Sequence, residues 1–308
     1  MKGRISGFKE GLAKRKGNSL EREIEYFINV SELKNLSSRT IGNKKQTLRY
    51  FQNFLSETNP DALKNVNLIK EEDIVNFVLD MKKRNSKPNS INIQVANLKT
   101  FFNVLGRGKR IASNPAKNIP KLKVDSEIKY IVTNKEYKSM LKTLDLGKFN
   151  HVVSYVAISI LWFCGVRVGE LVKLKMNDID LENKFLVVRK SKSRKGRKIP
   201  IHPELVKTLE SYLPIKMEVS KCEYLLVSFN DKPFSSDTMR NKITTIAKDC
   251  GFHEITCHSF RRSLATRLLE QNTDLLVIKE ILGHANLQML IKYAKVSDSR
   301  MKTEIERL

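Results

Sequence analysis

Val152-Val-Ser-Tyr-Val-Ala-Ile-Ser-Ile-Leu-Trp-Phe-Cys-Gly-Val-Arg-Val-Gly-Glu-Leu171 joins an apolar run to a short charged stretch. From Val152 to Cys164 the run is broken only by Ser154 and Ser159, and it stops at Gly165. It suits a buried helix and is too short to cross a bilayer. Arg167 follows just past the glycine that ends this helix, with Glu170 three residues on. Downstream, Phe185 to Val188 and Ile199-Pro-Ile201 are short β-branched or apolar runs, with Arg189 to Lys198 as a basic hairpin tip between them. Helical patterns return over Glu204 to Leu213, Ser236 to Asp249, Phe260 to Gln271 and Asp274 to Leu282.

Upstream the chain also reads as helices. Ile24, Phe27 and Ile28 mark the first, within Leu20 to Val30. Ser37-Ser38 caps a long second helix carrying Leu48, Phe51 and Leu55. Glu71 to Met81 and Asn89 to Leu105 complete the set, the last with Ile91, Val95, Leu98, Phe101 and Phe102 as its core stripe. Lys44, Lys45, Arg49 and Lys99 are expected on other faces, open to phosphates. The basic segment Asn114-Pro-Ala-Lys-Asn-Ile-Pro-Lys-Leu-Lys is punctuated by two prolines and reads as a linker. The expected organisation is a flexible basic arm over 1–19, a helical domain over 20–112, a linker over 113–133 and a second domain over 134–308. The fold class is mainly α with a small β-sheet (α+β).

Of 308 residues, 41% are hydrophobic and 29% charged, as in a globular protein with a real core. The opening Met-Lys-Gly-Arg-Ile-Ser-Gly lacks the apolar stretch of a signal peptide, which points to the cytosol. Cys164, Cys222, Cys250 and Cys257 form no CxxC pair and read as reduced, mostly buried thiols. The charge says more: 57 Lys and Arg against 33 Asp and Glu give +24, with a pI near 9.8. That excess is costly in self-repulsion unless a polyanion neutralises it. A membrane surface would call for basic residues gathered on one amphipathic helix. Here they run through the whole length, which favours a protein that wraps nucleic acid.

Three segments of the second half carry residues able to do chemistry: Arg167 with Glu170, then His258-Ser-Phe-Arg261, then Leu282-Gly-His284 with Tyr293 nine positions on. A helix brings His258 and Arg261 onto one face. Taken singly, each has an ordinary explanation: a surface charge, a helix-end cation or a half-buried tyrosine. Their joint order on a basic two-domain chain is what singles them out.

Together these segments resemble the tyrosine recombinases, the phage integrase and Xer-like site-specific recombinases. The resemblance covers nearly the whole chain and implies a SAM-like core-binding domain followed by a catalytic domain, closing as a C-shaped clamp on DNA. It implies Arg167, His258, Arg261, His284 and the nucleophile Tyr293 as catalytic residues, with Glu170 in support. Lys192 is implied as the hairpin lysine, since Lys192-Ser-Arg-Lys-Gly-Arg-Lys-Ile-Pro is similar to the family's lysine, turn and closing strand. Two positions depart from the pattern: Arg262 stands where histidine is common, and Phe260 where leucine is.

Physical chemistry suits these roles. A phosphodiester under attack gathers negative charge on its nonbridging oxygens, and two guanidinium forks match them. Tyrosine, with a pKa near ~10, is a poor nucleophile unless positioned beside a proton acceptor. The resemblance implies strand exchange through a 3′-phosphotyrosine link and a Holliday junction, with double-stranded DNA at a specific site as partner and a homotetramer as the working form. No metal, ATP or other cofactor is expected, and no membrane; the expected location is the cytoplasm, with the nucleoid. Two alternatives share the fold: a DNA-binding regulator without cleavage, and a type IB topoisomerase. Loss of Tyr293 or of an arginine would have favoured the regulator. The Leu-Gly-His box and the compact N-terminal domain favour the recombinase over the topoisomerase.

Overall fold

Hydroxyl caps set the first two helix starts. Ser19 begins α1 (Leu20–Leu33) by accepting from the Arg22 N–H. Ser37 does the same for α2 (Ser38–Thr58), accepting from the Thr40 N–H at 3.2 Å. These are elements of a computed structural model that describes residues 18–124, 130–189 and 196–283. The chain divides into two compact units between residues 127 and 128.

The first unit continues with a four-residue turn, α3 (Asp61–Lys64), then α4 (Glu71–Lys83) and α5 (Pro88–Arg107). Its core is aromatic: Phe27 meets Phe101 edge-on at 5.4 Å, and Phe51 meets Phe77 at 5.2 Å. The expected stripe of α5 is buried throughout. Glu23 is fully enclosed and accepts a two-pronged bond from Arg110, which lies 4.4 Å from the centre of the Tyr26 ring. Two of the lysines expected to face phosphates face the protein. Lys44 is 7% exposed and sits over Phe27, and Lys99 donates to the Ile119 carbonyl at 2.7 Å. The proline-punctuated segment lies against this unit, with Ala116 and Ile119 buried and the Leu122 N–H on Asn92.

In the second unit, α6 (Asn134–Lys142) precedes α7 (Phe149–Cys164), which is buried nearly all round. Four residues, Val168–Leu171, form α8. A three-stranded antiparallel sheet follows in the order β1 (Ile179–Asp180), β2 (Phe185–Val188), β3 (Arg197–Pro200). Phe185 pairs with Pro200 and Val188 with Arg197. The remaining helices are α9 (Pro203–Val219), α10 (Ser236–Asp249), α11 (Cys257–Glu270) and α12 (Leu275–Leu282). Helix α7 packs on α9 and α11, while α12 packs on α11 and β3. Cys164 and Cys257 are buried and Cys222 and Cys250 half-buried, all as free thiols. No helix among the described residues is long and apolar enough to cross a membrane.

Candidate active site

Two helices of the second unit end in a left-handed glycine: α7 at Gly165, φ +57°, and α12 at Gly283, φ +61°. Glycine takes this conformation without a Cβ penalty. Space requires it too, because a Cβ on Gly165 would sit 2.8 Å from Leu264 Cδ2 and 2.9 Å from Leu282 Cδ2. The ends of α7 and α12 are thereby held close to each other and to the middle of α11, at Leu264.

The last carbonyls of a helix lack intrahelical partners and carry the negative end of its dipole. At the end of α12 three consecutive carbonyls each receive a different arginine. Arg197, on β3, donates Nε to the Ile281 carbonyl at 2.7 Å. Arg261, on α11, donates Nη2 to the Leu282 carbonyl and Nη1 to the Gly165 carbonyl at 2.8 Å. Arg167, at the N-terminus of α8, donates Nη2 to the Gly283 carbonyl at 3.2 Å, 116 residues away in sequence. The row of carbonyls fixes the three guanidinium planes and gathers three positive charges at one helix end. Arg167 is the more open of the two arginines singled out from sequence: its side chain is 24% exposed, against 2% for Arg261.

Glu170 binds this group from one side. Its Oε2 accepts from the Arg167 backbone N–H at 2.9 Å and from Arg197 Nη2 at 2.9 Å, and its Oε1 accepts from Arg167 Nη1 at 3.0 Å. Burial alone would raise its pKa. The bonds from Arg197 and from the Arg167 N–H, with both positive charges, overcome that and hold it at about 2. Glu170 is therefore a fixed carboxylate.

His258 lies exposed in the first turn of α11, one turn before Arg261. The helix starts at Cys257, three residues earlier than the apolar pattern predicts. The Thr256 N–H donates to Ser259 Oγ at 3.1 Å, forming a cap. Arg262 has a structural task, donating to the Tyr130 carbonyl at 3.1 Å and to Ser259 Oγ at 3.0 Å. Lys192, His284 and Tyr293 lie outside the described residues. Arg189, directly after β2, pairs with the buried carboxylate of Asp178.

Arg197 is the residue that sequence reading missed. Read as part of a basic hairpin tip, it is 7% exposed and points inward with Ile199, while Lys198 and Pro200 point outward. The two-residue alternation of a strand would have placed it there.

The phage integrase family model matches residues 131–300, and the N-terminal SAM-like domain of phage integrases matches residues 24–109. Tyrosine recombinase XerD of Listeria innocua is 28% identical over 295 residues, covering 92% of this chain and 96% of its own. Tyrosine recombinase XerA of Pyrococcus horikoshii is 29% identical over 286 residues, covering 92% of each. Among solved structures, the Tn1549 transposon integrase in complex with transposon right end DNA superposes with a TM-score of 0.75 at 22% identity, covering 93% of this chain and 99% of that one. A lambda integrase tetramer bound to a Holliday junction gives 0.74 at 18% identity, covering 93% and 82%. At those identities the superpositions speak for the fold alone. A family match over more than half of the chain, on a fold that brings Arg167 and Arg261 to adjacent carbonyls, places the chain in the phage integrase family of tyrosine recombinases.

Proposed function

We propose that this recombinase exchanges DNA strands at a specific site through a phosphotyrosine link carried by Tyr293. The reading is carried by the row of carbonyls at the end of α12, which brings Arg167 and Arg261 together one residue before His284 in the chain. In the cleavage step Arg167 and Arg261 meet the charge growing on the nonbridging oxygens, and His284 donates a further hydrogen bond. The Tyr293 oxygen attacks phosphorus and its proton passes to His258. The bond from phosphorus to the 5′-oxygen breaks, and Lys192 supplies the proton to that leaving oxygen. Glu170 keeps Arg167 oriented. The 3′-phosphotyrosine conserves the energy of the broken bond, so attack by a 5′-hydroxyl reseals a strand without ATP or a metal ion.

Four copies work together on double-stranded DNA. One pair of strands exchanges first, giving a Holliday junction, and the other pair resolves it. The lambda integrase tetramer solved on a Holliday junction supports this assembly, and the Tn1549 integrase solved on transposon end DNA supports the DNA partner. A cytoplasmic protein associated with the nucleoid fits that work.

Covalent capture tests the reading. The full chain is incubated in EDTA with end-labelled duplexes of random sequence, each nicked one nucleotide beyond a candidate phosphate, and run on a denaturing gel. The expected result is a labelled protein–DNA adduct whose recovered DNA defines the site. Tyr293→Phe should bind that DNA and form no adduct. An adduct that persists in Tyr293→Phe, or that needs a divalent metal, overturns the proposal.

A further inference from the structure

Charged residues at inward strand positions are uncommon, because taking a guanidinium out of water costs several kcal/mol unless its bonds are well made. Arg197 occupies such a position, with its side chain 4% exposed. Its neighbour in phase on β3, Ile199, is apolar and 1% exposed, as that face of the sheet would ordinarily require. Arg197 earns its place by directed bonds at both ends of its fork: Nε goes to the Ile281 carbonyl and Nη2 to Glu170 Oε2. The guanidinium also packs on the backbone of Gly283, where a Cβ would lie 2.9 Å from Nη1 and 3.2 Å from Cζ. Two of the three groups that Arg197 touches, Glu170 and Gly283, also govern Arg167. Glu170 holds the Arg167 side chain and N–H, and Gly283 offers the carbonyl that Arg167 binds.

We propose that Arg197 is a positioning residue for strand cleavage, fixing the Arg167 guanidinium through their shared carboxylate, Glu170, and through the carbonyl row at the end of α12. The proposal rests on the recombinase reading and deepens it. Within the proposal Arg197 acts on cleavage through Glu170 and Gly283, the two groups that it shares with Arg167. It also lies on β3, five residues after Lys192 in the chain, so one buried side chain ties that strand to Arg167.

The test uses the full chain and the nicked duplex recovered by covalent capture, with Arg197→Met, Arg197→Lys, Glu170→Gln and the double variant Glu170→Gln/Arg197→Lys. The rate of adduct formation at saturating DNA is read beside DNA affinity. Each rate is measured on two substrates, the natural phosphodiester and one with a neutral methyl group in place of a nonbridging oxygen at the scissile phosphate. A misplaced arginine matters less on the neutral substrate, which has less charge to be met, whereas general distortion of the fold harms both alike. Arg197→Lys keeps the buried charge and stem and carries the test if Arg197→Met unfolds.

The proposal expects cleavage of the phosphodiester to slow by about 10²-fold in the Arg197 variants, the scale of a slight misplacement in an active site. It further expects unchanged DNA affinity, a much smaller loss on the neutral substrate, and a double variant no slower than its slower single parent. Equal losses on both substrates, additive losses in the double variant, or undiminished cleavage in Arg197→Lys and Arg197→Met each overturn it. A wild-type chain that forms no adduct overturns the recombinase reading beneath it, an outcome distinct from wild-type and variant chains cleaving equally well.

Discussion

Glu170 shows how one carboxylate can serve both the fold and the chemistry. Its pKa stands at about 2, below the ordinary 4.5, because its bonds to Arg197 and Arg167 outweigh the cost of burial. A folded-state value below the unfolded one means that the charged form stabilises the fold. That contribution is complete above pH 4.5 and fades as pH falls towards 2. Urea unfolding of the wild type and of Glu170→Gln, followed at a series of pH values, checks the sign. The wild type should be the more stable at neutral pH, and its advantage should shrink across that acidic window. An advantage that grows on acidification would mean that Glu170 is held in its neutral form. The same residue illustrates what sequence can reveal. Its place three positions after Arg167 marked it as a supporting group, but its second partner lay 27 positions downstream. That partner, Arg197, was hidden in a run of basic residues, and strand phase alone separates it from the exposed Lys198 beside it.

At the scale of elements, helix ends decide the site, and glycine acts oppositely at an end and in a middle. Gly165 ends α7 at φ +57° with Leu264 and Leu282 side chains against its missing Cβ, so Gly165→Ala combines left-handed strain with overlap. A loss of about 2 kcal/mol or more is expected, against the ~1–2 kcal/mol of the conformation alone. Gly42 lies exposed within α2 with nothing within 4 Å of a Cβ, so Gly42→Ala should stabilise by about 0.5–1 kcal/mol. Chemical denaturation of the two variants beside the wild type should move the midpoint in opposite directions. The glycine stop after the apolar run was legible from sequence because both signals are local. So was the Ser37 cap, and so was the aromatic stripe of α5. The start of α11 was not, since its first turn is held by a Thr256–Ser259 cap that carries no apolar period. The four-residue helices α3 and α8 are likewise too short to show one. Lys44 and Lys99 were misread for a related reason: a lysine's long stem lets its charge fold back onto a ring or a carbonyl, which spacing does not reveal.

For the whole molecule, the controlling quantity is the charge of +24. It separates two jobs that salt should tell apart. Lysines and arginines at the surface meet the DNA backbone and release condensed counterions, so affinity should fall linearly on a log–log scale with a slope near −0.9 per phosphate neutralised. Six to ten such contacts would lower affinity by about 10³–10⁵ between ~50 and ~200 mM salt. Arg197 and Arg261, by contrast, are bonded to backbone carbonyls within the protein and only 7% and 2% exposed, and ions screen such enclosed charges far less. Cleavage at saturating DNA should therefore change little over a salt range in which binding collapses. Fluorescence anisotropy on the captured site and on an unrelated duplex of equal length measures the first effect, and single-turnover adduct formation measures the second. The two duplexes should share a slope and differ in affinity, because phosphate contacts carry the charge and base contacts the sequence. A cleavage rate that fell as steeply as affinity would mean that the arginine row is open to solvent ions when DNA is bound. The division of labour between the charged surface and the buried guanidiniums would then fail.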